Sequence, residues 1–222
     1  QRQMCIRDSV HSVNVALIAS ILGQWLKFSE KDIRILTISG LLHDIGKIMI
    51  PNEILTKPGK LTVAEYNIMK QHVNFGYEKV KNQNIDIRIK EACLLHHEKC
   101  DGTGYPFGLK SDHIPAVAKI IAIADVYDAM TSARVYRGAL CPFEVIDTMY
   151  KDAFTKFEPE YILPFLKNVA SSYINNDVRL SDGRIGKVVL INENALSLPI
   201  VQCEDEFIDL SKTRGLTVSA IL

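Results

Sequence analysis

The sequence predicts a mainly α-helical protein with a small β-rich extension at its carboxyl end. Apolar residues recur at helical spacing up to about residue 172, capping signals precede several of these stretches, and later segments alternate apolar and polar residues. We therefore expect a helical domain over residues 10–172 and a β-rich tail over residues 173–222. Residues 1–9 are polar without helical periodicity, and we interpret them as a leader foreign to the fold.

The first helices are predicted from apolar spacing and from capping residues. Residues 10–27 place a row of apolar side chains on one helical face, namely Val10, Val13, Leu17, Ile21 and Trp25. Ser29 followed by Asp32 is typical of an N-cap, and the helix after it runs to about residue 46. Thr62 and Glu65 have the spacing of a capping box, which opens a helix that carries His72 in its middle.

Proline and glycine residues mark the starts of the later helices and the loops between elements. Asp86 to His97 is predicted as a helix, and Pro115, Pro142 and Pro159 are each placed to open another. The glycine- and proline-rich segments 57–60 and 101–109 predict loops. Residues 178–191 alternate apolar and polar side chains around an Asp-Gly turn, which is typical of a β-hairpin, and the strand pattern continues over 198–203 and 207–211.

The composition excludes several classes of protein. With 222 residues, 47% apolar and 23% charged, the chain is typical of a globular protein with a sizeable core. Lys+Arg and Asp+Glu both number 26, and this zero net charge argues against a protein that coats a nucleic acid polymer or an anionic membrane. The five cysteines lack any CxxC spacing, and the longest uncharged stretch is too polar to span a membrane. We therefore expect reduced thiols and a cytoplasmic location.

Histidines cluster with carboxylates at two points in the chain. His43 and Asp44 end an apolar helix; alone, this pair is better explained as a buried histidine satisfied by the neighbouring acid. His96 and His97 are adjacent at the end of another apolar helix and are followed by Glu98. Two buried imidazoles each need a polar partner, and metal binding satisfies both.

A carboxylate and two further histidines extend this set. Asp125 lies within an apolar stretch, where burial requires a cation or several donors; pairing with Arg134 or Arg137 is the alternative. His11 and His72 each lie in a predicted helix, and neither is remarkable alone.

Together the candidate ligands comprise five imidazoles and two carboxylates, more than one mononuclear site needs. They are His11, His43, Asp44, His72, His96, His97 and Asp125. A two-metal site with one bridging carboxylate fits this count. Because no thiolate is in the set, iron or manganese is favoured over zinc, and the imidazoles argue against magnesium or calcium.

These residues resemble a known superfamily. His11, the His43-Asp44 pair and Asp125 match the H…HD…D pattern of the HD phosphohydrolases, and HHEKCDGTGYP at 96–106 matches the HHExxDGxGYP signature of their HD-GYP branch. Residues 41–62, 70–76 and 122–137 also resemble HD-GYP segments in the same order. The resemblance covers about residues 10–170. The β-rich tail resembles, more loosely, the extension that follows many HD-GYP domains.

The resemblance implies an HD-superfamily helical bundle and a metal-dependent phosphodiesterase. Its substrate would be cyclic di-GMP, hydrolysed by a metal-bridging hydroxide to pGpG and, in some members, to GMP. The seven candidate ligands would hold two divalent ions, with Asp44 bridging them. Lys47 would face the scissile phosphate, whereas Arg134 and Arg137 would contact phosphate and guanine. The GYP loop would shape the substrate entrance with Gly104, Tyr105 and Pro106.

One position departs from the family pattern. Members with a third metal carry a glutamate four residues before the first histidine ligand, and Arg7 occupies that position here. Either the protein binds two metals, or the leader has replaced the native residue. Two other functions stay open: hydrolysis of another cyclic dinucleotide such as cyclic GMP-AMP, and a catalytically weak module that binds a cyclic dinucleotide or proteins. An upstream receiver or sensor domain, protein docking at the GYP loop and a homodimer are further expectations from the resemblance.

Overall fold

Among the described residues the helices precede the strands, which confirms the predicted mainly α fold with a β-rich extension. The computed structural model describes residues 2–132 and 140–222, with side chains from residue 9 onward. The helices are α1 (Arg2–Trp25), α2 (Glu30–Leu42), α3 (Asn52–Leu55), α4 (Val63–Met69), α5 (His72–Val80), α6 (Ile87–Leu95), α7 (Ala116–Thr131), α8 (Pro142–Asp152) and α9 (Pro159–Ser171). The strands are β1 (Asp177–Leu180), β2 (Ile185–Leu190), β3 (Ile200–Cys203), β4 (Glu206–Asp209) and β5 (Val218–Ile221).

Capping side chains define the starts of α2 and α4 as predicted. The Ser29 hydroxyl accepts a hydrogen bond from the Asp32 backbone N–H, and Thr62 and Glu65 form a reciprocal capping box. The prediction that this box opens a helix with His72 in its middle is wrong. Helix α4 ends at Met69, and His72 is the first residue of α5. The ring Nδ1–H of His72 donates to the Met69 carbonyl at 2.8 Å, across this interruption.

The first helix differs from its prediction in two ways. It begins at Arg2, before the predicted start at residue 10, and its regular apolar row lies on the outside. The exposed apolar residues of α1 are Val10, Val13, Leu17, Ile21 and Trp25. The buried residues are Val15, Ala16, Ala19 and Leu22. Apolar residues occur on all sides of α1, so their spacing did not identify the side that α2 and α7 cover.

The core joins the helices to the sheet. Buried side chains of α7, α8 and α9 form one hydrophobic cluster with those of the strands. The members of the sheet that are buried most completely are Val178, Val188 and Val201. The sheet is antiparallel with strand order β4-β3-β2-β1-β5, and the predicted hairpin pairs Val178 with Gly186. Strand β5 was not predicted from the sequence.

Two further properties concern membrane-spanning helices and the cysteines. Among the helices of the described residues, none combines the length and apolar character that crossing a bilayer requires. The cysteines with described side chains are free thiols, namely Cys93, Cys100, Cys141 and Cys203.

Candidate metal centre

The predicted ligands lie at the ends of three helices and within two others, and their side chains meet at one point. His43 and Asp44 follow α2, His72 opens α5, and His96 and His97 follow α6. His11 and Asp125 project from within α1 and α7. Gly46 allows the turn after Asp44 to approach α5, because a Cβ at Gly46 would lie 1.9 Å from the His72 carbonyl oxygen.

The side chains form two groups that are each suited to hold one ion. The first ligand group comprises Asp44, His72, His96 and His97, and the second ligand group comprises His11, His43 and Asp125. Within each group the ligand atoms all lie within 4.8 Å of one another. The structure therefore brings all seven predicted ligands together.

Asp44 lies between the two groups and presents one oxygen to each. Its Oδ1 is 3.4 Å from His72 Nε2 and 3.9 Å from His96 Nε2. Its Oδ2 is 3.2 Å from His43 Nε2 and 3.7 Å from His11 Nε2. This is the arrangement that a bridging carboxylate requires.

Backbone carbonyls fix the orientation of three of the imidazole rings. The Nδ1 atoms of His43, His72 and His96 lie 2.7, 2.8 and 2.9 Å from the carbonyl oxygens of Gly40, Met69 and Ala92. A carbonyl only accepts, so each Nδ1 donates a proton to it, and in the neutral ring Nε2 then keeps a free lone pair. Such hydrogen bonds commonly orient metal-binding histidines.

Two buried atoms of the site fit a bound cation. Among the described residues, His43 Nε2 and Asp44 Oδ1 have no hydrogen-bond partner, although both are buried. An unsatisfied buried polar atom costs about 1–3 kcal/mol, and a metal ion removes that cost by accepting both lone pairs. The donor set of imidazoles and carboxylates without thiolate also suits a divalent transition metal.

Burial keeps the imidazoles of the first ligand group neutral. It lowers the pKa of His96 well below the ordinary range, helped by neighbouring imidazoles, and lowers the pKa of His97 to about 4. The pKa of His72 is lowered for the same reason. Burial alone would raise the pKa of Asp44, but Lys47 and the imidazoles hold it well below its ordinary value. The group is thus a neutral set of nitrogen ligands around one carboxylate.

The second ligand group holds its imidazoles in the opposite state. Burial opposes the charge on His11, but hydrogen bonds to Asp125 and Asp128 outweigh it and raise the pKa of His11 to about 9. The charge of Asp44 likewise overcomes burial and raises the pKa of His43. The hydrogen bond from His11 overcomes the burial of Asp125 and lowers the pKa of that carboxyl. Without metal, this group therefore holds protons on its imidazoles, and a bound metal ion would displace them.

Lys47 and Tyr105, predicted to contact substrate, lie beside the ligands. Lys47 Nζ is 2.5 Å from Asp44 Oδ2 and remains 28% exposed. The Tyr105 ring stacks on His97, with the ring centroids 4.7 Å apart. Gly104 lets the loop approach the helix end, because a Cβ there would lie 2.5 Å from the Glu98 Cα. Arg134 and Arg137 lie outside the described residues, as does the side chain of Arg7.

Sequence reasoning missed the roles of two acids. Glu98 is buried and accepts hydrogen bonds from the backbone N–H groups of Phe107 and Leu109, at 2.7 and 2.9 Å, so it holds the GYP loop in place. Asp128 is buried and contacts His11. The available signal was its position three residues after Asp125, which places both acids on one face of α7.

Comparisons with known proteins match most of the chain to one family of domains. The family model described as HD domain matches residues 4–161. A cyclic di-GMP phosphodiesterase of Pseudomonas aeruginosa, PA4108, is 37% identical over 87% of this chain and 47% of its own length. The 3′3′-cGAMP-specific phosphodiesterase 2 of Vibrio cholerae is 36% identical over 68% of this chain and 30% of its own length. This chain thus spans about half or less of the length of these two relatives.

A solved structure shows the same fold. Bd1817, a protein of the HD-GYP type from Bdellovibrio bacteriovorus, superposes with a TM-score of 0.59 at 24% identity. The match covers 71% of this chain and 50% of that one. Together with the family model, it confirms the predicted resemblance to HD-type helical domains.

Proposed function

This chain belongs to the HD domain family, and from that premise we propose that it is a metal-dependent phosphodiesterase that hydrolyses cyclic di-GMP. The reaction adds water across one phosphodiester bond. The hydroxyl group joins phosphorus, the bond to the 3′ oxygen breaks, and that oxygen takes the remaining proton. The product is linear pGpG, and a second cleavage gives GMP.

One observation carries the proposal: the Asp44 carboxylate presents an oxygen to each of two ligand groups. A pair of ions about 3.5–4 Å apart is the recurrent arrangement for in-line attack on phosphorus. The seven side chains His11, His43, Asp44, His72, His96, His97 and Asp125 would hold this pair, and iron or manganese fits their donors best. When bound, such ions lower the pKa of water to near neutrality and neutralise phosphate charge.

The remaining residues of the site bind and orient the substrate. The Lys47 ammonium, partly exposed beside Asp44, donates hydrogen bonds to a non-bridging phosphate oxygen and stabilises the charge that develops there. Tyr105, held over His97 by the GYP loop, limits access of water on that side and offers a ring face to a purine base. Arg134 and Arg137 supply further positive charge to the substrate phosphate and base in this proposal.

The choice of cyclic di-GMP over other cyclic dinucleotides rests on relatives. PA4108 is named for cyclic di-GMP, whereas the V. cholerae relative is named for 3′3′-cGAMP. Both contain the same two phosphodiester links, so the metal centre suits either. Retention of all seven candidate ligands argues against a module that only binds its nucleotide.

The test is hydrolysis by the purified protein under anaerobic conditions. Metal-free protein, prepared with a chelator, is incubated with cyclic di-GMP or 3′3′-cGAMP after addition of Fe(II), Mn(II) or no metal, and products are separated by chromatography. We expect pGpG or GMP from cyclic di-GMP only when metal is added. If only 3′3′-cGAMP were hydrolysed, 3′3′-cGAMP would replace cyclic di-GMP as the proposed substrate. Absence of turnover by folded, metal-loaded protein would contradict the proposal.

Several expectations from the resemblance remain predictions. Two metals rather than three follow from Arg7 at the position of the third-metal glutamate. A cytoplasmic location, an upstream receiver or sensor domain, protein docking at the GYP loop and a homodimer also stay predictions. The division into residues 1–9, 10–172 and 173–222 is also a prediction. Its second boundary falls between α9 and β1.

A further inference from the structure

We propose that Asp128 is a positioning residue, which holds His11 with its Nε2 toward the second metal ion. The inference rests on the proposed function, because it takes His11 as a ligand. Asp128 itself is not a ligand in this arrangement. It acts through His11, and it thereby sets how tightly the second ligand group binds its ion.

The two ring nitrogens of His11 have different partners. Its Nδ1 is 2.6 Å from Asp128 Oδ2. Its other ring nitrogen, Nε2, is 3.1 Å from Asp125 Oδ1 and 3.7 Å from Asp44 Oδ2. Asp128 thus approaches the edge of the ring that faces away from the other ligands, and the opposite edge is left for metal.

The Asp128 carboxylate is itself fixed in place. Its Oδ1 accepts hydrogen bonds from Asn14 Nδ2 at 2.8 Å and from Ser132 Oγ at 3.1 Å, and the residue is only 4% exposed. Asn14 lies three residues after His11 on α1, so the Asp128 carboxylate of α7 contacts both the His11 and the Asn14 side chains. These contacts hold the His11 ring in one orientation even though His11 remains 18% exposed.

His11 differs in this respect from three other histidines of the site. His43, His72 and His96 each direct Nδ1 to a backbone carbonyl that lies three or four residues earlier. His11 uses a charged partner from a distant part of the chain instead. A carboxylate behind an imidazole fixes the tautomer and increases the basicity of the metal-binding nitrogen. Asp128 therefore replaces the local carbonyl with a stronger acceptor.

The experiment measures Mn(II) binding to metal-free protein by calorimetric titration, with bound metal counted by mass spectrometry. The variants are Asp128→Ala, Asp128→Asn, His11→Ala and the double variant of Asp128→Ala with His11→Ala. Asp205→Ala is the matched control, because Asp205 is exposed in the turn between β3 and β4 and belongs to neither ligand group. Removal of an outer hydrogen bond typically weakens metal affinity about 10–100-fold. We expect this loss for one of two ions in Asp128→Ala, a smaller loss in Asp128→Asn, and little change in Asp205→Ala.

The double variant distinguishes positioning from a general structural role. If Asp128 acts through His11, then Asp128→Ala weakens Mn(II) binding no further once His11 is already alanine. An equal loss in both backgrounds, or two ions bound by Asp128→Ala with the affinity of wild type, would overturn the inference. If His11→Ala itself bound two ions normally, the proposed ligand set would fail instead. Thermal unfolding of each metal-free variant checks folding, and Asp128→Asn carries the test if the alanine variant does not fold.

Discussion

The imidazoles of the two ligand groups differ in their protonation before any metal binds. In the first ligand group, burial lowers the pKa of each imidazole, so the nitrogens are neutral before any ion arrives. In the second ligand group, nearby carboxylates overcome burial and raise the pKa of His11 and His43. The first group is therefore a preformed set of neutral ligands, whereas a metal ion must displace protons from the imidazoles of the second group.

This difference follows from where the residues sit in the fold. His72 and His96 are almost fully buried at helix ends, with backbone carbonyls as partners. His11 lies on α1 near the surface of the site and contacts two acids of α7. The partners of each imidazole decide the direction of its pKa shift, since His43 is fully buried beside Asp44 and still has a raised pKa. Asp44 belongs to both environments because its two oxygens face different groups.

The largest effect should come from removing the residues that join the groups. Replacing His43 and Asp44 together by alanine deletes the shared carboxylate and one imidazole of the second ligand group. We expect bound Mn(II), counted by mass spectrometry, and phosphodiesterase activity both to be lost. His113→Ala is the matched control, because His113 is exposed and belongs to neither group. Retained activity in the double variant would contradict the whole assignment.

Single variants should separate the two groups. His72→Ala removes a ligand of the first group only, and His11→Ala removes one of the second only. We expect each protein to lose the ion of its own group, with affinity falling by more than the about 10–100-fold typical of outer hydrogen bonds. Mn(II) titration of both variants measures this. If the two variants lost the same ion, the division into two groups would be wrong.

Lys47 should affect turnover rather than metal content. Lys47→Met removes the ammonium beside Asp44 that we place on the substrate phosphate. Loss of one charge-stabilising donor typically lowers kcat about 10²–10³-fold. We expect that decrease with bound Mn(II) unchanged, as measured by steady-state hydrolysis and mass spectrometry. Lys79→Met, an exposed lysine of α5, is the control and should keep full activity. An unchanged kcat in Lys47→Met would remove this role.

The smallest effect should come from the cap of α4, which precedes both the break in the helix and His72. Thr62→Ala removes the capping hydroxyl and should lower the free energy of unfolding by about 0.5–2 kcal/mol. Metal content at saturating Mn(II) should not change. Thr148→Ala, at a non-capping threonine of α8, is the control. A loss of metal in Thr62→Ala would show that α4 helps to place His72.

The contribution of the α4 capping box to the free energy of unfolding should depend on pH through Glu65. Hydrogen bonds from Lys57 and from the Thr62 backbone lower the pKa of Glu65 to about 2. A carboxyl with a lowered pKa stabilises the folded state above its ordinary pKa, and this contribution is lost as pH falls toward about 2. The stability difference between wild type and Glu65→Gln should therefore be present at neutral pH and shrink below about pH 4.5. Urea titrations across this range measure it; a constant difference would contradict the role of the ionised carboxylate.

The sequence identified the residues that converge in the candidate site better than it identified their surroundings. The pairs His43-Asp44 and His96-His97 each end an apolar helical stretch, and this pattern indicated that these polar side chains are buried. The exposed side of α1 was not, because apolar residues lie all around that helix. The Asp128–His11 contact joins residues 117 positions apart, and no local spacing reveals it. The loop contacts of Glu98 likewise depend on how the chain turns back after the helix.

The most direct test of the account is a crystal structure of the protein loaded with Mn(II), with anomalous scattering used to locate the ions. We expect two anomalous peaks about 3.5–4 Å apart. One should lie among His72, His96 and His97, the other among His11, His43 and Asp125, with Asp44 contacting both. A single peak, or two peaks that Asp44 does not join, would contradict the central claim that this carboxylate links two metal sites.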